Sequence, residues 1–115
     1  MSPKLLYIPE EISSLNPSEL MLIKWTRPTN LLSIDGVTVA IPNVYSAYLR
    51  PGNHTFEYRK CISNSEGSSM GGWSGTALWW GKDKRNYTGE AGKTYNWNEL
   101  IQSLDPEVYK NTGCP

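Results

Sequence analysis

The chain has 115 residues, with 11 basic and 11 acidic side chains, one histidine, two cysteines, ten glycines and eight prolines. This length is typical of one domain and can bury an apolar core without a metal or many disulfides. The balanced charge argues against a nucleic acid or an anionic membrane as partner, since both are bound mainly through excess lysine and arginine.

The N-terminal part is predicted to be irregular up to the first good strand. Residues 1–18 are expected to be an extended segment of a single domain that comprises the whole chain, and 17–19 could form one helical turn. Apolar side chains on both faces predict a buried strand over residues 19–26. Residues 27–30, Arg-Pro-Thr-Asn, end it.

The strongest local signal is the dipeptide Asp35-Gly36, which tolerates positive φ in a two-residue hairpin turn. It predicts a hairpin between residues 31–34 and residues 37–41, because the second of these segments alternates cleanly between larger apolar and smaller side chains.

Two more strands are predicted on either side of the tight corner Pro51-Gly52. The first covers residues 45–50 and the second residues 53–61. In the second strand Phe56 and Tyr58 alternate with polar side chains, which is typical of an antiparallel strand with one wet face.

The next segment, residues 62–72, is rich in serine and glycine and is predicted to be a loop. A strand is predicted over residues 76–80. The charged residues 81–86 that follow are predicted to form a turn.

The C-terminal part is predicted to contain a last strand, residues 94–97, and a short helix, residues 99–104, capped by Asn98 and bounded by Pro106. The fold class that follows is all-β. We expect a small antiparallel β-sandwich of about seven strands with a short C-terminal helix.

Three short motifs resemble a recurring unit of bacterial envelope proteins. They are Ile34-Asp35-Gly36, the run Leu49-Arg50-Pro51-Gly52-Asn53-His54, and Gly92-Lys93-Thr94-Tyr95. The chain resembles PEGA-like β-sandwich modules and small bacterial lipoproteins of unknown function. The resemblance implies an extracytoplasmic, non-catalytic module. It assigns no functional residue, because the motif residues are turn formers.

The two cysteines, Cys61 and Cys114, are a candidate disulfide that would tie down the C-terminal tail and stabilise the fold by roughly 4 kcal/mol. Two unrelated thiols are the alternative. A metal site is disfavoured, because the cysteines and His54 supply three ligands where structural zinc usually takes four. A disulfide implies an oxidising compartment.

The N-terminal residues do not form an export signal, because they lack a basic head and an apolar stretch. We expect that a signal, and in a lipoprotein a lipidated cysteine, was removed ahead of Met1. The expected location is the periplasm or the outer membrane, where membrane attachment would need that lipid. A cytoplasmic protein is the alternative.

No residue pattern predicts an enzyme or a cofactor. His54 and Cys61 lie on one predicted strand at a separation of roughly 23 Å, so they cannot form a dyad. Residues 72–76 imitate a serine-hydrolase elbow, but the fifth residue is threonine. Residues 89–94 end in Gly-Lys-Thr without the first glycine of a phosphate-binding loop.

The surplus of aromatic side chains gives the functional hypotheses. Trp79 and Trp80 are adjacent on a strand and therefore point to opposite faces, so we expect at least one of them in the core. The lead hypothesis is a cell-envelope structural or protein-interaction module without catalysis. The alternative is a carbohydrate-binding module that uses exposed tryptophans. The candidate surface consists of Trp73, Trp79, Trp80, Lys82, Lys84, Arg85 and Tyr87.

Thiol titration tests the cysteine pairing. The purified, unreduced protein should show no reactive thiol after denaturation, because both sulfurs would be held in one disulfide. Two titratable thiols per chain under those conditions would contradict the pairing and remove this argument for an oxidising compartment.

Overall fold

The computed structural model describes residues 4–64 and 77–110. In this part of the chain, eight strands form two four-stranded sheets, and one helix follows the last strand. Two short 3-10 turns, Glu10–Ser14 and Pro17–Glu19, connect the first two strands. The strands are β1 Lys4–Ile8, β2 Met21–Lys24, β3 Leu31–Ile34, β4 Val37–Thr38, β5 Val44–Leu49, β6 Gly52–Asn64, β7 Ala77–Gly89 and β8 Thr94–Asn96, and the helix is α1 Trp97–Leu104.

The first sheet, in the order β1-β5-β2-β8, is mixed. Strand β2 is antiparallel to β5, but β1 runs parallel to β5 and β8 runs parallel to β2. The prediction of purely antiparallel strands is therefore wrong for this sheet. Neighbouring strands here are separated in sequence by elements of the other sheet, so no hairpin turn forces an antiparallel arrangement.

The N-terminal segment is more structured than the sequence predicts. Strand β1 pairs with β5, and the turn Glu10–Ser14 that follows buries Ile12 completely. The helical turn predicted over 17–19 is confirmed as Pro17–Glu19. These residues belong to the folded unit because Ile8 and Ile12 both contribute buried apolar side chains.

The second sheet, in the order β4-β3-β6-β7, is antiparallel throughout. Strands β6 and β7 each have 13 residues and pair without a bulge from Gly52 opposite Gly89 to Asn64 opposite Ala77. At about 3.3 Å per residue they are roughly 43 Å long. The charged turn predicted over 81–86 is wrong, since these residues lie inside β7. Residues 62–64 likewise belong to β6 and not to the predicted loop, whose remainder lies outside the described residues.

The buried core takes side chains from both sheets and from α1. Phe56 and Tyr58 of β6 are fully buried, as the alternation predicts. The Trp97 ring of α1 stacks on Phe56 with a centroid distance of 5.2 Å. Ile23 of β2 and Leu49 of β5 contribute from the other sheet, also without exposure. Each such side chain stabilises the fold by about 1.5–3 kcal/mol relative to its exposed state.

Helix α1 begins two residues earlier than the sequence predicts. Its cap is Asn96, whose side-chain oxygen accepts a hydrogen bond from the Glu99 backbone N–H at 3.2 Å. The predicted cap, Asn98, lies inside the helix and instead donates to the backbone carbonyls of Thr26 and Pro28. Asn98 therefore connects the helix to the segment after β2.

The two turn motifs of the sequence are bonded to each other. Asp35 adopts the predicted positive φ, at 50°, and its Oδ1 accepts a hydrogen bond from the Thr55 backbone N–H at 2.8 Å. Its Oδ2 bonds His54 Nδ1, and His54 Nε2 bonds the Arg50 carbonyl oxygen at 2.6 Å. The β3–β4 turn and the start of β6 are thus joined through one carboxylate.

Replacing Asp35 tests this connection. Asp35→Ala removes the acceptor for Thr55 and His54 and places alanine at positive φ, so we expect a loss of about 2–3 kcal/mol of unfolding free energy. Asp35→Asn keeps one acceptor and tolerates the backbone conformation, and its loss should be smaller. Urea denaturation measures both, and an alanine variant as stable as the wild type would contradict the prediction.

Candidate interaction surface

Six of the seven residues predicted to form a surface lie on β7, and Trp73 lies outside the described residues. Alternation along β7 divides the six between two faces. Arg85 is directly opposite the buried Phe56, so the odd-numbered residues of β7 share the face that carries the core. We call this the core-side face and the opposite one the outer face. The core-side face carries Trp79, Arg85 and Tyr87, and the outer face carries Trp80, Lys82 and Lys84.

Two of the predicted surface residues have structural contacts on the core-side face. The Tyr87 ring packs edge-on against Tyr95 at 5.2 Å between centroids. Burial, together with the neighbouring Tyr95, raises the pKa of Tyr87. Arg85 Nη1 donates to Asp83 at 3.0 Å. The strand period of two therefore places Arg85 and Tyr87 on the face opposite that of Trp80, Lys82 and Lys84.

Asp105, just after α1, is the buried charge of the described part of the chain, with 3% exposure. The Tyr58 hydroxyl donates to its Oδ2 at 2.6 Å and the Lys60 ammonium at 2.9 Å, while Arg85 Nη2 lies 3.8 Å away. Its Oδ1 accepts from the Glu107 backbone N–H at 3.2 Å. The carboxylate ties the end of the helix to both long strands.

The Asp105 contacts shift two pKa values. Burial acts to raise the pKa of Asp105, but the hydrogen bonds from Tyr58 and Lys60 and the ammonium charge outweigh it, so its pKa lies below the ordinary value. Burial, then the hydrogen bond to Asp105 and its negative charge, raise the pKa of Tyr58 well above the ordinary range. Both shifts keep the carboxylate charged and the phenol neutral at physiological pH.

Past the contacts of Asp105, the two long strands continue with no third described strand beside them. Strand β3 pairs with β6 as far as Tyr58, and the Arg59 backbone N–H donates to the Asn30 carbonyl at 2.8 Å. Residues 60–64 and 77–81 then extend as a two-stranded segment, which we call the ribbon. On its core-side face Ile62 lies over Gly81, so close that a Cβ at this position would overlap the isoleucine.

Neither of the two adjacent tryptophans is in the core. Trp79 is 42% exposed on the core-side face and Trp80 is 45% exposed on the outer face. They point to opposite faces as predicted, but the expectation that at least one is buried is wrong. Both lie on the ribbon, where no sheet covers them in the described part of the chain.

The outer face next to Trp80 carries an excess of positive charge. The Arg59 guanidinium lies over the Trp80 ring, 4.3 Å from its centroid. Lys82 is directly opposite Arg59, and Lys84 is directly opposite Glu57, so three cations face one carboxylate. The core-side charges are balanced by comparison, because Lys60 and Arg85 meet Asp83 and Asp105. Sequence reasoning missed Arg59, and its only signal was its outward position beside Tyr58.

A cavity of about 410 Å³ opens beside Arg59 and Trp80. It lies between the outer face, the segment before β3 and the residues after α1. Its lining includes Asn30, Cys61, Val108 and Tyr109. Asn30 is oriented by Trp97, whose indole N–H donates to its side-chain oxygen at 2.8 Å. Within the described residues, its side-chain nitrogen has no hydrogen-bond partner.

The chemistry of the remaining candidates is limited. Both ring nitrogens of His54 bond oxygen atoms of the protein, which leaves neither available to a substrate. Over residues 4–64 and 77–110 no group of three or more metal-ligating side chains is found, and no helix is long and apolar enough to span a membrane. Cys61 is 3% exposed, and no cysteine is free in this range. Cys114 lies outside it, so the Cys61–Cys114 pairing stays a prediction.

Acid should weaken the Asp105 contacts. A carboxyl whose pKa is lowered by folding stabilises the protein above its unfolded pKa of about 3.9, and this contribution disappears as pH falls through the folded value. We expect the wild type to lose stability below about pH 4. Asp105→Asn should lose about 3 kcal/mol at neutral pH, because the partly buried Lys60 loses its shorter ion pair and keeps only Asp83 at 3.6 Å, and its stability should change less with acid.

The matched control is Glu107→Gln, which removes an exposed carboxylate two residues away. Chemical denaturation between pH 7 and pH 3 measures all three proteins. An acid profile of Asp105→Asn that parallels the wild type would contradict the role assigned to this carboxylate.

Comparisons with protein-family models, with curated proteins and with solved structures find no match to this chain. The resemblance to PEGA-like envelope modules therefore stays an expectation from short motifs.

Proposed function

We propose that this chain is a small β-sandwich module of the bacterial cell envelope that binds a protein partner and catalyses no reaction. The observation that carries the proposal is the outer face of the long hairpin, where the exposed Trp80 stacks with Arg59 beside Lys82 and Lys84. Tryptophan and arginine are the residues most enriched among the dominant contacts of protein interfaces.

The construction of the hairpin supports a role in presenting this face. Isolated two-stranded segments are marginally stable in water. Here the base of the ribbon is held by the buried Asp105, which bonds Tyr58 and Lys60 of β6 and lies near Arg85 of β7. Preorganised side chains lower the entropic cost of binding. A rigid base therefore favours a role in binding a partner over a purely structural role.

The envelope location rests on two lines of support. One is the resemblance of the hairpin motifs to PEGA-like modules. The other is the predicted Cys61–Cys114 disulfide, which is compatible with the deep burial of Cys61 and would require an oxidising compartment. A lipid anchor ahead of the chain would make it a lipoprotein.

Carbohydrate binding is the second candidate, favoured by the exposure of Trp79 and Trp80 and by the cavity beside Trp80. The two indole rings lie on opposite faces, so they cannot form one continuous platform. A panel of soluble glycans titrated against tryptophan fluorescence tests this reading. A saturable response that Trp80→Ala abolishes would favour it over protein binding.

Photo-cross-linking tests the protein-binding proposal. A photoreactive benzoylphenylalanine replaces Lys84 on the outer face or, as control, Lys93 on the turn before β8, and the chain is expressed in its native host. We expect one defined adduct from position 84 and none from position 93. Trp80→Ala should reduce the adduct at least fivefold, since truncation of a dominant interface residue costs about 2 kcal/mol or more.

Trp79→Ala is the matched control, because it removes the same side chain from the core-side face. Its adduct yield should stay close to that of the wild type. Equal adducts from positions 84 and 93, or equal losses from both tryptophan variants, would contradict binding through the outer face.

A further inference from the structure

The outer face contains a charge arrangement that the fold does not need. Arg59 and Lys82 are direct cross-strand partners, and like charges in this position are destabilising. Within the described part of the chain, the ion pairs formed by acidic side chains include neither of them. Functional sites often carry such costs, because stability and activity trade off against each other there.

Arg59 is held in a defined position on this face. Its backbone is fixed by the hydrogen bond to the Asn30 carbonyl, and its guanidinium stacks on the Trp80 ring. Stacking covers the plane of the guanidinium and leaves its N–H groups at the edge, where they can bind a carboxylate through two parallel hydrogen bonds. Lys82 adds a second positive charge opposite Arg59.

The cavity next to this cation pair is mainly apolar in character. Its walls include the Trp80 ring, Pro28, Val108 and Tyr109, and its volume of about 410 Å³ lies within the range of ligand pockets. That space accommodates a leucine or phenylalanine side chain. Arg59 belongs to the cation pair and also lines the cavity beside Trp80, so one ligand can contact both.

We propose that the partner presents an acidic segment with an apolar side chain: a carboxylate binds the Arg59–Lys82 pair while the neighbouring apolar side chain enters the cavity beside Trp80. This inference rests on the proposed function and specifies the chemistry of the partner. Charge complementarity favours an acidic segment, because the described residues of this face include three cations and one carboxylate, Glu57. The cavity favours a large apolar side chain next to the carboxylate of the partner.

The test uses short peptides followed by two-dimensional NMR of the labelled chain. The probe is acetyl-Glu-Phe-Glu-amide. The comparators are acetyl-Gln-Phe-Gln-amide, which lacks the charge, acetyl-Glu-Gly-Glu-amide, which lacks the apolar side chain, and acetyl-Lys-Phe-Lys-amide, which reverses the charge. We expect the probe to bind at least fivefold more tightly than each comparator and to shift the signals of Arg59, Trp80 and Val108.

Two charge-reversal variants separate binding from folding. Lys82→Glu should reduce probe affinity at least fivefold, and it should melt no earlier than the wild type, because an opposite-charge pair replaces a like-charge pair. Lys93→Glu makes the same charge change on the turn before β8 and should leave affinity unchanged. Probe affinity should also fall as salt is raised from 50 to about 300 mM.

Several results would overturn the inference. These are no binding of the probe at about 10 mM, equal binding of the glutamine peptide, or shifts that map away from Arg59 and Trp80. Binding of the chain to phosphatidylglycerol vesicles with no response to the probe would assign the cations to an anionic membrane instead. If the photo-adduct at position 84 persists while the probe fails, this inference falls and the proposed function stands. If neither the photo-adduct nor probe binding is observed, both this inference and the proposed function are overturned.

Discussion

The structure depends on one buried carboxylate. Asp105 directly follows α1, and its side chain lies under the long hairpin. There it accepts hydrogen bonds from Tyr58 and Lys60. A buried charge is tolerated only when its lone pairs are satisfied, so these contacts fix where the helix ends and where the two strands lie relative to it. The same residues separate the hairpin into a part that covers the core and a part that extends past it.

The position of the ribbon follows from two properties of β6, which are its pairing with β7 and the alternation of its side chains between the two faces. One face of this strand supplies Phe56 and Tyr58 to the core, and the other supplies Arg59 to the outer face. The pairing with β7 continues beyond the last pair that β3 makes, so the alternation that fills the core also presents the tryptophans. The outer face of the hairpin is thus formed by the same strand that supplies the core.

The sequence predicts the parts of this fold that local chemistry decides. Asp35-Gly36 specifies its turn through backbone conformation, and the buried alternation of Phe56 and Tyr58 is visible without a structure. The parallel neighbours of β5 and β2 could not be predicted, because they depend on which strand meets which across the sheets.

The candidate surface shows the same division between local and distant effects. The sequence predicts a turn inside β7 because charged residues usually end strands, whereas in the structure Arg85 pairs with Asp83 and lies near Asp105, which is distant in the chain. The cavity also could not be predicted from the sequence. Its walls come from segments near Asn30 and near Val108 that only the folded chain brings to Trp80.

Among the described strands, β7 is the outermost strand of its sheet. A long strand in that position exposes backbone hydrogen-bonding groups that another chain could use to extend the sheet, which is the usual first step of aggregation. The charged run from Lys82 to Arg85 lies in the middle of this margin and opposes such stacking. The cations proposed to bind a partner therefore also oppose the pairing of this edge with another copy of the chain.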